Sequence, residues 1–278
     1  MTDLPPPCDG CRNGEVFQHP ISMAFQPIIS VSNRRVYAYE ALVRGADGSG
    51  ADSVFERVDD VTRYAFDQKC RTTAIDLAAR LDLAREDALL SINFLPNAVY
   101  DPRACIRLTL KAAEMAGFPL DRIMFEFTES ERINPAHLLG ILQHYRALGF
   151  VTAIDDFGAG YAGMALLVDF VPDVVKLDMH LIRDSDRCDR RRVVLRHMVA
   201  MLQDMGTTVV GEGIQTQGEY DVLADLGVDL MQGYLFAAPV FEALADPVWP
   251  EARPPRGVWA SPDATATSGA RSERSAAS

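Results

Sequence analysis

Six side chains carrying oxygen donors stand at or just past the ends of short apolar runs: Glu40, Asn93, Glu126, Asp155, Asp156 and Glu212. Five are carboxylates and one is an amide. Carboxylates gathered in one pocket repel each other strongly unless something neutralises them. Divalent cations resolve that conflict, and hard oxygen donors of this type suit Mg²⁺ or Mn²⁺. The set is larger than one octahedral ion needs if waters remain, so it suits a two-metal site, whose chemistry is activation of a water and stabilisation of the attacking and leaving oxygens. Lys176, inside the otherwise apolar DVVKLD (173–178), adds a fixed positive charge. No Ser-His-Asp or Cys-His constellation competes. The histidines His19, His137, His144, His180 and His197 fall in the N-terminal leader or in helical patterns and read as ordinary surface or core residues.

Taken singly, most of these residues have a plain structural reading. Glu40 could sit exposed on an edge strand, and Asp155 and Asp156 could cap the following helix. Glu126 and Glu129 could be solvated, Glu212 could belong to a turn, and Lys176 could pair with Asp178 on a surface. Their common placement argues against coincidence.

That placement comes from the elements. Short runs enriched in β-branched and aromatic residues read as strands: AFQPIISV (24–31), VYAYEALVR (36–44), ALLSIN (88–93), RIMFEF (122–127), VTAID (151–155), DVVKLD, TVVGE (208–212) and DLMQGYLF (229–236). Between most of them lie amphipathic stretches with helical spacing at 66–81, 104–117, 135–149 and 191–206. Strand and helix in alternation predict a parallel α/β fold, and the number of strands fits a TIM-like (β/α)₈ barrel. The first two runs are separated only by SNRR, a hairpin-length link, so one strand near the N-terminus must run antiparallel. Period two then puts Ala38 with Glu40, Leu89 with Ser91 and Asn93, Met124 with Glu126, Ala153 with Asp155, Val174 with Lys176 and Asp178, Val210 with Glu212, and Leu230 with Gln232. In a barrel these strand ends ring one opening.

Composition bounds the rest. The chain has 278 residues, 48% hydrophobic and 24% charged, with a formal net charge of −12. That acidity makes it a poor binder of DNA or RNA, although metal ions can reverse the local field for a small phosphodiester. No apolar run is long enough to span a membrane, and the N-terminus lacks a secretory pattern, so a cytoplasmic protein is expected. Residues 1–20 read as an irregular leader, 21–245 as the domain, and 246–278 as a disordered tail rich in Pro, Ala, Ser and Thr. Cys8 and Cys11 form a lone CxxC with no second half. Cys70, Cys105 and Cys188 are scattered through helical patterns and suggest no disulfide framework.

Seven segments in order resemble the EAL family of cyclic di-GMP phosphodiesterases: YEALVRG, SINFLP, FEFTES, AIDDFGAGY, DVVKLD, VVGEGIQT and QGYLF. The resemblance covers about residues 20–245. It implies hydrolysis of one phosphodiester bond of cyclic di-GMP to linear 5′-pGpG, with two Mg²⁺ or Mn²⁺ ions per active site. By motif match, Glu40, Asn93, Glu126, Asp155, Asp156 and Glu212 would be metal ligands, with Asp155 shared and Glu212 also counted in the catalytic set. Lys176 would contact the nucleophilic water. Glu129 would hold the DDFGAGY loop without binding metal. Gln26, Leu42, Arg44, Asp178 and Gln232 would contact substrate.

The sequence departs from that pattern at Gln215, where the family usually carries glutamate, and after DDFGAGY, where AGM replaces more usual serines. The first departure keeps the size and an acceptor oxygen but loses charge, so it either lowers metal affinity or is neutral. No GGDEF-like segment is present, so a stand-alone EAL domain is expected. The resemblance also implies a homodimer, with AGMALLVDFVPD (162–173) apolar enough to contribute, and leaves room for an unidentified signalling partner. The rival reading is an EAL domain that has lost turnover and serves as a cyclic di-GMP sensor or interaction module. Loss of Glu40, Glu126, Asp155 or Lys176 would signal it, and all four are present.

Overall fold

The computed structural model describes residues 16–128, 134–160 and 163–250. Strands β1 (Ile21–Ser30) and β2 (Arg35–Gly45) form an antiparallel hairpin in which Gln26 lies opposite Glu40 and Ile28 opposite Ala38. From β2 onward, β3 (Leu89–Asn93), β4 (Ile123–Thr128), β5 (Val151–Phe157), β6 (Val174–Leu177), β7 (Thr208–Gly211) and β8 (Leu230–Met231) join in sequence order, each parallel to the one before. Antiparallel pairing of Ile29 with Met231 and Ser30 with Leu230 closes β1 onto β8. The result is the expected eight-stranded barrel with one antiparallel strand. A ninth strand, β9 (Val240–Phe241), pairs with Ala24 and Phe25 on the stretch of the β1 edge that β8 leaves uncovered.

The helices surround this barrel: α1 (Ala51–Phe55), α2 (Arg63–Arg80), α3 (Pro102–Cys105), α4 (Arg107–Ala116), α5 (Pro135–Ala147), α6 (Gly163–Asp169), α7 (Met179–Ile182), α8 (Asp189–Asp204) and α9 (Gln217–Asp225). Their starts follow local chemistry. Asn134 accepts from Ala136 N ahead of Pro135, and Thr216 and Glu219 form a reciprocal capping box. The single helix expected over 104–117 is two, α3 and α4, which meet at Ile106. α4 then stops at Gly117, whose φ of 65° is costly for a residue with a side chain.

Alternation fills the barrel in layers. Ile28, Ala38, Leu89, Met124, Ala153, Val174, Val210 and Leu230 form an apolar floor, one from each strand. The opposite strand faces meet the helices in the larger core, where Phe125, Phe127, Ile154 and Leu177 join Tyr145, Leu195 and Leu223. Burying each such side chain stabilises the fold by about 1.5–3 kcal/mol.

The run DLMQGYLF yields a strand of only two residues. The reason is Gly233, at φ 156°, where an added Cβ would fall 2.1 Å from Ile214 O. The chain turns there so that Ile214 N can donate to Gln232 O and Leu235 N to Ile214 O.

The packed chain also runs past both boundaries read from composition. Phe17 is buried edge-to-face against Phe66, and Lys69 Nζ donates to the carbonyls of Phe17 and His19. Beyond residue 245, Val248 N donates to Phe236 O and Arg34 stacks over Trp249. Cys8 and Cys11 lie outside the described residues. Among the described residues, no helix is long and apolar enough to cross a membrane.

Candidate metal centre

One step above the apolar floor, toward the C-terminal ends of the parallel strands, every inward position is polar. These are Gln26, Glu40, Ser91, Glu126, Asp155, Lys176, Glu212 and Gln232, one per strand or strand end. The period-two rule that builds the floor therefore also builds the site. β1 runs antiparallel, so its polar residue comes two positions before its floor residue rather than two after.

Asp156 joins this layer by a different device. The β5–β6 ladder passes from Ile154 opposite Val175 to Phe157 opposite Leu177, so Asp155 and Asp156 together span one residue, Lys176. This is a β-bulge, and Asp156 carries its unusual backbone at φ 53°. Two consecutive carboxylates thereby reach the same cavity, which a regular strand would forbid.

Lys176 lies at the centre and is fully buried. Its Nζ is 2.5 Å from Glu126 Oε2, 2.6 Å from Glu212 Oε1, 3.0 Å from Asp155 Oδ1 and 3.4 Å from Glu40 Oε2. Glu40 Oε1 accepts from Asn93 Nδ2 at 2.9 Å, and Glu40 Oε2 accepts from Gln232 Nε2 at 2.7 Å. Gln232 Nε2 also reaches Gln26 Oε1 at 3.2 Å. Ser91 Oγ donates to Glu126 Oε1. Period two put Ser91 on the inward face of β3, but a hydroxyl among carboxylates gave no further signal.

One ammonium cannot neutralise this many carboxylates. Burial, followed by the charges of Glu40 and Asp155, holds the Glu126 carboxyl up at about 8 despite Lys176. Burial, then Asp155 and Asp178, pushes Asp156 up to about 6. Glu212 is driven up by burial and by Asp155. Burial alone would lower the Lys176 ammonium, yet Asp155, Glu126, Glu212 and Glu40 hold it well above its ordinary range, so it stays charged.

The residues fit divalent cations. Glu40, Glu126 and Asp155 each bring a carboxylate oxygen within 4.8 Å of the others, and so do Asp155, Asp156 and Glu212. Asp155 is common to both groups. Glu126 Oε2 and Asp155 Oδ1 are buried against the Lys176 ammonium, with no other donor on them among the described residues. Oxygens in that state are ready ligands for a hard cation.

The remaining expected residues divide. Gln26 and Gln232 are part of the polar layer. Asp178 is buried beside it, and its Oδ1 accepts from His180 N to cap α7. Leu42 and Arg44 continue the inward face of β2 above Glu40 and are half-buried, with Arg44 donating to Val43 O. Glu129 lies outside the described residues. Gln215 is exposed just before α9, its backbone N–H donating to Glu219 Oε2, and is not one of the buried residues of the layer.

Comparison with known proteins agrees with this geometry. A family model described as "EAL domain" matches residues 16–239. The blue light- and temperature-regulated antirepressor BluF of Escherichia coli is 31% identical over 230 residues, covering 82% of this chain and 56% of BluF. The cyclic di-GMP phosphodiesterase NbdA of Pseudomonas aeruginosa is 28% identical over 235 residues, covering 79% of this chain and 29% of NbdA. The chain thus spans about half or less of these two relatives. Among solved structures, a standalone EAL protein from Vibrio cholerae O395, bound to c-di-GMP, is 46% identical with a TM-score of 0.80, covering 84% of this chain and 97% of that one. Klebsiella pneumoniae BlrP1, in complex with manganese and cy-diGMP, is 33% identical with a TM-score of 0.80, covering 86% of this chain and 60% of that one.

Proposed function

The chain belongs to the EAL domain family, and from that premise we propose that it hydrolyses cyclic di-GMP to linear 5′-pGpG in the cytoplasm, using two Mg²⁺ or Mn²⁺ ions. The observation that carries this reading is the pair of carboxylate triplets that share Asp155 around Lys176. Glu40, Glu126 and Asp155, with Asn93, would hold one ion, and Asp155, Asp156 and Glu212 the other. Bound there, the ions supply charge neutralisation at the phosphodiester and a water acidic enough to attack it.

The chain's own residues do the rest. Lys176 keeps a positive charge fixed at the base of the cavity, where it orients the attacking water and stabilises negative charge in the transition state. Gln232 and Asn93 hold the Glu40 carboxylate from two sides, which fixes its direction. Gln26, Leu42, Arg44, Asp178 and Gln232 form the substrate-contacting set at the mouth, and Glu129 steadies the loop after β5. The chain works as a homodimer, which is supported by Met164 and Val168 standing exposed on α6 while Leu166 and Leu167 pack inward.

A second reading has its own support: BluF, matched over most of this chain, is named as an antirepressor. In that reading the domain binds cyclic di-GMP and signals without turnover. Purified protein incubated with cyclic di-GMP and Mg²⁺ or Mn²⁺, with products separated by chromatography, decides between the two. Appearance of pGpG supports the phosphodiesterase; saturable binding with no product supports the sensor.

A further inference from the structure

We propose that the buried Asp67–Arg71 pair is a positioning element for the metal centre, acting through Asn93; the inference rests on the metal-dependent reading above. Both residues belong to α2 and look from the sequence like helix-surface charges. In the fold the Asp67 and Arg71 side chains are 1% and 0% exposed, with Arg71 NH2 2.7 Å from Asp67 Oδ2. Arg71 NH1 donates to Tyr145 OH at 2.8 Å, and the guanidinium lies over the rings of Phe94 and Phe125 at 5.4 and 5.2 Å.

Stability does not account for this arrangement. A fully buried ion pair is often no more stabilising than apolar residues of the same size. Among the described residues, Arg71 Nε is also buried with no hydrogen-bond partner. What the pair provides is a fixed acceptor: Asp67 Oδ1 takes the Leu95 N–H at 2.9 Å. On the other side of the same segment, Phe94 N donates to Glu126 O at 2.9 Å. The chain just past Asn93 is therefore clamped between α2 and β4. Asn93 in turn donates to Glu40 Oε1. Arg71 holds Asp67 in place, Asp67 holds Leu95, and the end of β3 presents Asn93 at a set height. An apolar pair would fill the space but leave the Leu95 N–H unpaired and the segment free to shift.

The test separates the acceptor from the charge. Asp67→Asn/Arg71→Met keeps an oxygen for the Leu95 N–H, whereas Asp67→Leu/Arg71→Met removes it. Mn²⁺ binding to the whole 278-residue chain, stripped of metal, is read from the free-ion electron paramagnetic resonance signal, alongside thermal melting. We expect the first double variant to bind Mn²⁺ like wild type. The second melts no lower than the first but binds Mn²⁺ about 10–100-fold more weakly, the usual effect of losing a partner behind a ligand. Added to Asn93→Ala, the Asp67→Leu/Arg71→Met change has no further effect on Mn²⁺ affinity. Should that double variant not fold, Leu95→Pro, which deletes the N–H and leaves the ion pair intact, shows the same loss. Equal Mn²⁺ affinity with and without the acceptor, in the double variants or in Leu95→Pro, overturns the inference, as does a full additive loss over Asn93→Ala. A wild-type protein that binds no Mn²⁺ overturns the metal-dependent reading and this inference with it.

Discussion

Asp155 Oδ1 lies 3.0 Å from Lys176 Nζ, and Asp155 is the one carboxylate common to both ligand groups. A shared ligand predicts an effect that an unshared one does not. Asp155→Asn should weaken Mn²⁺ binding at both positions, while Asp156→Asn should weaken one. Titration of Mn²⁺ into the metal-free protein by calorimetry reads the number of tight sites. Two tight ions remaining in folded Asp155→Asn would refute the shared role.

Lys176 should matter to turnover far more than to substrate affinity, because its charge acts on the water and the transition state. Lys176→Ala should cost about 10²–10³ in kcat, the size typical for loss of a transition-state donor, with a small change in cyclic di-GMP binding. It should also lower the melting temperature of the metal-free protein, since Glu40, Glu126, Asp155 and Glu212 would lose their common counter-charge. Unchanged kcat with weakened binding would show that the lysine serves the ground state.

The raised carboxyls fix the sign of a pH effect on the metal-free fold. Glu126 titrates at about 8 in the fold against an ordinary 4.5, and Asp156 at about 6 against 3.8. The folded state therefore holds protons that the unfolded state has already released. Their contribution to stability is fully present below the unfolded values and is lost as pH rises toward the folded ones. Metal-free protein should thus melt higher at pH 5 than at pH 8, and Glu126→Gln should flatten that slope. Mn²⁺ should also release protons when it binds, visible as buffer-dependent binding enthalpy. A melting temperature that rises from pH 5 to pH 8 in the wild type would contradict this assignment.

Assembly is testable at α6. Val168 is 85% exposed, so its replacement costs no core packing. If the proposed homodimer forms, Val168→Glu should leave a monomer by light scattering and lower pGpG formation, while the melting temperature stays near that of wild type. A wild-type monomer with full activity at assay concentration would refute the dimer.

Much of this site can be read from the sequence because one rule, alternation along strands, makes both the floor and the polar layer above it. Leu89 with Ser91, Val174 with Lys176 and Val210 with Glu212 are all visible that way. What escaped reading depends on contacts distant in sequence or on a local break in the rule. Asp156 is legible as a donor just past its strand, but the bulge that brings it into the layer is announced by no periodicity. DLMQGYLF is apolar enough for a long strand, yet Gly233 must turn against Ile214 and ends it early. Asp67 and Arg71 have the spacing of a surface ion pair, and only packing of α2 against Tyr145 and Phe94 buries them. Trp249 sits in a stretch of tail-like composition, yet its ring lies under the Arg34 guanidinium.

The central claim is that these carboxylates hold metal for phosphodiester hydrolysis, and Glu40 is its sharpest probe. Glu40 is buried on the inward face of β2 beside Lys176, so Glu40→Ala removes the proposed ligand while leaving the apolar floor beneath it intact. The decisive measurement is pGpG formation from cyclic di-GMP by wild type and Glu40→Ala, each stripped with chelator and then supplied with Mn²⁺. The prediction is no product from stripped wild type, full recovery on adding Mn²⁺, and no product from folded Glu40→Ala at any Mn²⁺ concentration. Hydrolysis that survives the chelator, near-normal turnover by Glu40→Ala, or wild type that binds cyclic di-GMP with Mn²⁺ present and forms no pGpG would contradict it.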